Sequence, residues 1–128
     1  MKFSLESLSD VNRIHAYDNT SIVIKTKNNS DVLTINNSLI ITPNTIVTEW
    51  PINPIAKLSV DDIEYFKSLD TEVLILAQQS GVQVPPEILV KFSEQAIGVE
   101  SMLLGPACRT YNLLVAEGRQ VVLAVNFN

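Results

Sequence analysis

Residues 98–128 read GVESMLLGPACRTYNLLVAEGRQVVLAVNFN, and this stretch decides the fold. Val99–Leu103 is a short apolar run that predicts a strand. Pro106 then opens a predicted helix, at a position where its missing N–H removes no hydrogen bond. Gly118 is expected to end that helix in the left-handed conformation. Val121–Val125 is apolar throughout and predicts a strand buried on both faces, so the stretch forms a strand–helix–strand unit.

Two helices and a strand are predicted immediately upstream of this unit. Val60–Leu69 carries apolar residues at helical spacing, and it follows Ser59, which with Asp62 resembles a capping box. Glu72–Ala77 is a nearly pure apolar strand, and Pro86–Ile97 has the apolar stripe of a second helix. Strands that alternate with helices indicate an α/β fold.

The first fifty residues predict a meander of short antiparallel strands. Turns rich in Asn and Pro separate five β-prone runs: Ile14–Tyr17, Ser21–Thr26, Val32–Ile35, Leu39–Thr42 and Ile46–Trp50. Met1–Asn12 is interpreted as a loosely ordered arm or a frayed strand. We therefore expect residues 1–128 to form a single α/β domain of three layers, in which helices and the N-terminal β meander cover a mixed central sheet.

Composition limits the possible partners of this 128-residue chain. Nine Lys and Arg residues against fourteen Asp and Glu residues give a net charge of −5, and the basic residues are scattered. Nucleic-acid binding is not expected, because it requires clustered positive charge. No apolar run approaches the roughly 20 residues that span a bilayer, and no secretory or mitochondrial leader is apparent. A single cysteine also suits a reducing compartment, so we expect a cytoplasmic protein.

The candidates for catalysis are few. Cys108 lies on the first turn of the predicted helix, where the helix dipole and Arg109 would lower its thiol pKa. A nucleophile also needs a base, and His15, the only histidine, is far away in sequence. The alternative role for Cys108 is a small buried side chain that packs the helix on the sheet. No catalytic set, metal site or cofactor is predicted.

Polar side chains collect where the predicted strands end, which is where open α/β sheets bind ligands. The predicted ligand or partner cleft comprises Gln78, Gln79, Glu100, Arg109, Thr110 and Asn112. Arg109 opposes the dipole at a helix N-terminus and therefore needs a compensating partner. Glu100 could be that partner in a structural ion pair, or Arg109 could face an open cleft. Glu117 is expected to pair with Arg119. Trp50 is a possible partner anchor.

The contiguous Ala-Cys-Arg-Thr-Tyr-Asn of residues 107–112, followed by the Glu-Gly-Arg of residues 117–119, resembles a family signature. Its family of small MTH-like domains is largely of unknown function, and the eukaryotic branch includes the mitochondrial complex I assembly factor three. The resemblance implies that Val121–Val125 runs antiparallel to its βαβ neighbours. Many members carry Gly-Thr-Gly where this chain has Ala77, Gln78 and Gln79, and an Asp-Thr pair where it has Leu103 and Leu104.

Two functional hypotheses follow from the residues and the resemblance. The first is a non-catalytic protein-interaction or assembly-factor-like module with a protein partner or a second copy of the chain. The second is a small-molecule-binding protein or an enzyme that uses the predicted cleft near Arg109. The absence of a catalytic dyad in the sequence favours the first.

Overall fold

The computed structural model describes residues 10–27 and 31–127, and a five-stranded mixed sheet lies at its centre. Its strands are β4 (Leu39–Ile41), β5 (Ile46–Val47), β6 (Val73–Ala77), β7 (Gly98–Met102) and β8 (Val121–Val125). They lie in the order β5-β4-β8-β6-β7. β6 pairs in parallel with β7 and β8, whereas β4 pairs antiparallel with β8 and β5.

The strand β8 confirms the predicted burial on both faces. All five of its residues are buried. Leu123 belongs to the hydrophobic core on one side of the sheet, and Val122 belongs to the core on the other side. A central strand covered on both faces needs apolar residues at every position, which is the pattern of its sequence.

Three helices and a 3-10 turn form the α component of the described residues. They are α1 (Val60–Ser68), α2 (Pro86–Glu94), α3 (Leu104–Ala116) and the 3-10 turn Ile55–Lys57. The helices α1 and α2 cover one face of the central sheet, where the ring centroids of Phe66 and Phe92 lie 6.2 Å apart. The helix α3 covers the opposite face, into which Ala107, Tyr111 and Val115 are buried.

A separate three-stranded antiparallel sheet packs beside α3. Its strands are β1 (Arg13–Tyr17), β2 (Ile22–Lys25) and β3 (Val32–Ile35), paired in that order. Ile22 and Ile24 on β2 are fully buried in the same core as α3. The predicted α/β architecture, with a mixed central sheet, helices and an N-terminal β meander in three layers, is confirmed.

The extent of the meander was overestimated from the sequence. The runs predicted at Leu39–Thr42 and Ile46–Trp50 contain β4 and the two-residue β5, and both strands belong to the central sheet. Every residue of β4 is buried. Such a strand needs cover on both faces, which a place beside β8 provides and a place in the outer meander does not.

The expected direction of the last strand was wrong for its closest βαβ neighbour. Val121–Val125 runs parallel to β6 and antiparallel only to β4. The helix α3 follows β7 and carries the chain back along the sheet, so β8 starts at the same end as β7 and β6. A crossover of this kind joins parallel strands.

The helix ends follow local sequence signals. The backbone N–H of Ser59 donates to Asp62 Oδ2 at 2.9 Å, as the predicted capping box requires. The helix α3 begins at Leu104, two residues before the predicted start. Pro106 is tolerated there because the first four N–H groups of a helix have no partner within it. Gly118 has φ 80° and ends the helix in the predicted left-handed conformation.

Candidate functional site

The predicted cleft residues lie on both faces of the central sheet rather than in one cleft. Gln78 follows β6 and is buried on the side of α1 and α2, beside Val82. Its Nε2 donates to Ser101 Oγ at 3.0 Å and to the carbonyl oxygen of Val82, while Ser80 Oγ donates to its Oε1 at 3.2 Å. The Gln78 amide therefore holds the loop after β6.

Arg109 contacts the meander, not Glu100. Its Nη1 donates to the Tyr17 hydroxyl at 2.9 Å. A Cβ at Gly105 would lie 3.1 Å from that hydroxyl oxygen and 3.3 Å from Arg109 Nη1, so glycine leaves room for the contact. Glu100 is exposed on the edge strand β7. The polar partner that Arg109 requires is therefore a phenol from a distant part of the chain.

Among the described residues, one ion pair is found, and it differs from both predicted pairs. Arg119 Nε lies 2.9 Å from Glu72 Oε1. Glu117 was expected to be the partner of Arg119, but Glu72 takes that place because β6 begins beside the start of β8. Both side chains of the pair are close to half exposed, so it contributes little to stability.

Gln79 reaches the same edge of the molecule as Arg109. Its Nε2 donates to the carbonyl oxygen of Asn19 at 3.3 Å, in the turn between β1 and β2. Asp18 shapes this turn: its Oδ1 accepts from the backbone N–H groups of Thr20 and Ser21, and these and the Ser21 hydroxyl lower its pKa. Gln79 and Arg109 thus both bind the β1–β2 hairpin end.

Asn112 binds the backbone of β1 with both polar atoms of its side chain. Its Oδ1 accepts from the Ile14 N–H, and its Nδ2 donates to the Ile14 carbonyl oxygen, each at 2.9 Å. This pairing imitates the hydrogen bonds of a neighbouring strand, so it attaches the edge of the meander to α3. Thr110, two residues earlier, is half-buried.

A second attachment was missed from the sequence, because it involves Asn12 at the end of the predicted arm. Residues 1–9 of that arm lie outside the described residues, but Asn12 is buried. Its carbonyl oxygen accepts from the Tyr111 hydroxyl at 2.9 Å, and its Nδ2 donates to the Thr42 carbonyl oxygen at 3.0 Å. Its Oδ1 accepts from the Lys27 N–H at 2.8 Å. The only signal in the sequence was a polar residue directly before the strand β1.

The Cys108 thiol has the opposite pKa shift from the one expected at a helix start. Cys108 is 2% exposed. Burial raises its pKa to about 12, and the nearby Arg109 charge lowers it by less. The thiol is therefore protonated at neutral pH, and its role is to pack α3 against the sheet. His15 is exposed on β1.

A different cleft, which none of the six predicted cleft residues lines, lies where β6 and β8 end and β4 begins; we call it the strand-end cleft. It has a volume of about 390 Å³, and its walls are mostly apolar. Its lining residues are Ser38, Trp50, Pro54, Ile55, Ala56, Ser80, Val82 and Asn126. Trp50 is half-buried, and its Nε1 donates to the carbonyl oxygen of Asn53 at 3.4 Å. Of the predicted partner residues, Trp50 alone lines this cleft.

Within residues 10–27 and 31–127, no group of three His, Cys, Asp or Glu side chains lies close enough to hold a metal ion. In the same part of the chain, no helix has the length and apolar character to cross a lipid bilayer.

The sequence matches a known family over almost all of the described chain. The family is described as a protein of unknown function (DUF498/DUF598), and the match covers residues 14–126. This chain belongs to that family. A curated relative, the NADH dehydrogenase [ubiquinone] 1 alpha subcomplex assembly factor 3 of Drosophila melanogaster, is 31% identical over 84 residues. That match covers 62% of this chain and 43% of the relative, less than half of its length.

Solved structures of bacterial proteins share the fold of this family member. A Xanthomonas campestris protein has a TM-score of 0.70 and 26% identity, with 98% of this chain and 91% of that chain covered. A Bordetella parapertussis protein has a TM-score of 0.63 and 28% identity, with 91% of this chain and 95% of that chain covered. A Bordetella pertussis protein described as a Mth938-like domain has a TM-score of 0.65 and 23% identity, with 98% and 90% covered. The expected membership of the small MTH-like family is confirmed.

Proposed function

We propose that this protein is a non-catalytic, cytoplasmic protein-interaction module with an assembly-factor-like role. The observation that carries the proposal is the solvent-exposed surface of α3. Pro106, Arg109 and Leu113 recur at helical spacing on this surface, and Tyr17 of β1 contacts Arg109 beside them. We call these four residues the α3 face. Leu113 is 60% exposed, and Arg109 carries the only charge of the four.

This composition differs from that of a solvated helix face, which normally carries charged residues. Arg and Tyr are enriched at the centres of protein interfaces, where Lys and Glu are depleted. The hydrogen bond between Arg109 and Tyr17 already orders two long side chains, which lowers the entropy lost when a partner binds. Both observations favour a protein partner over solvent as the neighbour of the α3 face.

The relatives and the buried thiol add support. A relative in Drosophila melanogaster is named as an assembly factor, and the assembly of a protein complex requires contacts between proteins. The protonated Cys108 offers no nucleophile. Of the cleft residues expected from the sequence, Arg109 belongs to the α3 face and Thr110 is its half-buried neighbour in sequence, while Gln78 and Asn112 maintain the fold. A second copy of the chain is the alternative partner for the α3 face.

Substitution of Leu113 by Glu tests the proposal, with Val90→Glu as the matched control. Val90 lies on α2, on the other side of the central sheet, and is 59% exposed against 60% for Leu113. Tagged wild type and both variants would be purified from the source cells and their partners quantified by mass spectrometry. We expect Leu113→Glu to lose partners that Val90→Glu retains. Sedimentation of the purified protein would show whether a second copy binds instead. Equal recovery with both variants, and an unchanged oligomeric state, would contradict the proposal.

A second candidate function, small-molecule binding, is favoured by the strand-end cleft. Its volume of about 390 Å³ lies within the ~300–1,000 Å³ typical of ligand sites, and it lies at the carboxyl ends of two parallel strands. Trp50 is the only tryptophan of the chain, so its fluorescence reports on this cleft alone. A metabolite library that leaves both this fluorescence and the melting temperature unchanged would argue against it.

A further inference from the structure

Three basic side chains line the same small cavity, where β1 lies beside α3. Arg13 and Lys25 are direct cross-strand partners in the β1–β2 pair. His15 follows on β1, at the irregularity in the register between Ile14 and Ala16. The chain as a whole carries a net charge of −5, so this local concentration of positive charge opposes its overall balance.

The pairing of Arg13 with Lys25 is unfavourable in isolation. Like charges directly opposite each other on antiparallel strands repel. A carboxylate between them would remove the repulsion, but the ion pair found in the described part of the chain is elsewhere, between Arg119 and Glu72. Among the described residues, the fold therefore places two cations opposite each other without a carboxylate in ion-pair contact with either.

The Arg13 guanidinium also has an unused donor. Its Nε is buried and has no hydrogen-bond partner among the described residues. A buried donor without an acceptor is destabilising, and more so on a charged group. Because no protein acceptor fixes this edge of the guanidinium, a rotation of the side chain can turn it toward a bound anion.

These side chains line one small cavity. It has a volume of about 220 Å³ and is lined by Arg13, Ile14, His15, Lys25, Asn112 and Ala116. None of these six residues carries a carboxylate. The volume is below the ~300–1,000 Å³ of sites for drug-sized ligands, so a compact anion fits it better than a large organic molecule.

We propose that this cavity binds a phosphate group, either inorganic phosphate or the phosphate of a small ester. The planar Arg13 fork can donate two parallel hydrogen bonds to phosphate oxygens, and Lys25 adds a point charge. A ring nitrogen of His15 adds a further donor at the rim. The net negative charge of the protein repels anions at long range, so binding depends on these local contacts. The site is independent of the partner proposed for the α3 face.

Calorimetric titration with inorganic phosphate and with glycerol phosphate, at constant ionic strength, tests the proposal. We expect wild type to bind at least one of the two. Arg13→Gln and Lys25→Gln should each raise the dissociation constant roughly tenfold or more, which corresponds to about one lost charged hydrogen bond. Lys67→Gln, an exposed site on α1, removes the same charge elsewhere and should leave binding unchanged. Tighter binding of the ester would show that its organic part also occupies the cavity.

Two further measurements keep the proposal testable if one variant folds poorly. In amide NMR spectra, phosphate should shift the signals of Arg13, His15 and Lys25 before any others. Without phosphate, Lys25→Gln should raise the melting temperature, because it removes the repulsion from Arg13. Addition of phosphate should then raise the melting temperature of wild type more than that of the variant. The proposal is wrong if neither ligand binds, if the shifts lie elsewhere, or if Lys67→Gln weakens binding as much as Lys25→Gln.

Discussion

Asn112 gives the sharpest prediction, because its side chain belongs to the fold rather than to an open cleft. Substitution by Ala removes two hydrogen bonds to the Ile14 backbone, each 2.9 Å long. A typical protein hydrogen bond contributes about 1 kcal/mol net, so the loss is about 2 kcal/mol. Alanine favours the helix by roughly 0.5 kcal/mol over asparagine. We therefore expect Asn112→Ala to lower the free energy of unfolding by about 1.5 kcal/mol.

Urea denaturation followed by circular dichroism measures this change. The midpoint should fall while the slope stays constant, because the surface exposed on unfolding is nearly unchanged. For a domain of this size, about 1.5 kcal/mol corresponds to roughly 5 °C in melting temperature. Hydrogen exchange at the Ile14 amide should also become faster, since Asn112 Oδ1 is its acceptor.

Thr110→Ala is the matched control, since Thr110 lies two residues away on the same helix and is half-buried. The Thr110→Ala substitution should change the free energy of unfolding by no more than ~0.5 kcal/mol. If Asn112→Ala and Thr110→Ala had equal midpoints, the Ile14 contacts would contribute nothing, and the structural role of Asn112 would be refuted.

Four further outcomes are expected. Gly118→Val should lower the free energy of unfolding by about 1–2 kcal/mol in a urea titration. A Cβ at this position meets no atom within 4 Å, so the strain comes from the backbone φ of 80° alone. An unchanged urea midpoint would contradict this prediction. Tyr111→Phe should lower the free energy of unfolding by about 1 kcal/mol, because it leaves the Asn12 carbonyl oxygen without its donor. A melting temperature equal to that of wild type would show that this hydrogen bond does not stabilise the fold. The Cys108 pKa, raised to about 12, predicts slow alkylation of the native thiol at pH 8 and fast alkylation in urea. Fast alkylation of the native thiol would show that Cys108 is not buried. The unfolded thiol loses its proton near pH 8.5 and the folded thiol near pH 12, so the contribution of Cys108 to the free energy of unfolding should fall as the pH rises between these two values.

The local elements were predictable because their signals are short-range. Helical spacing of apolar residues located α1 and α2, and the capping pair of Ser59 and Asp62 defined where α1 begins. Gly118 ended α3 as expected, because few other residues adopt a left-handed backbone without strain. Uniform apolar composition identified β8 as a strand with cover on both faces.

The candidate site was predicted less well, since each of its polar residues had to be given a partner. Arg109 was expected to need a polar partner, and Glu100 was the candidate nearest in sequence. The partner in the structure is Tyr17, which lies 92 positions away. The pKa of Cys108 was expected to be lowered by a helix dipole, a local effect, whereas desolvation by the surrounding core raises it. Nothing in the sequence linked Arg13 to Lys25 until β1 and β2 were paired.

The sequence by itself determined where helices and strands form and that β8 is buried on both faces, because backbone propensity, capping and hydrophobic period act over a few residues. Only the tertiary structure decided that β8 runs parallel to β6, that β4 joins the central sheet, and that Asn112 bonds to Ile14. Strand pairing and side-chain partners depend on which surfaces meet in space. Those contacts join residues tens of positions apart, and no local pattern in this chain specifies them.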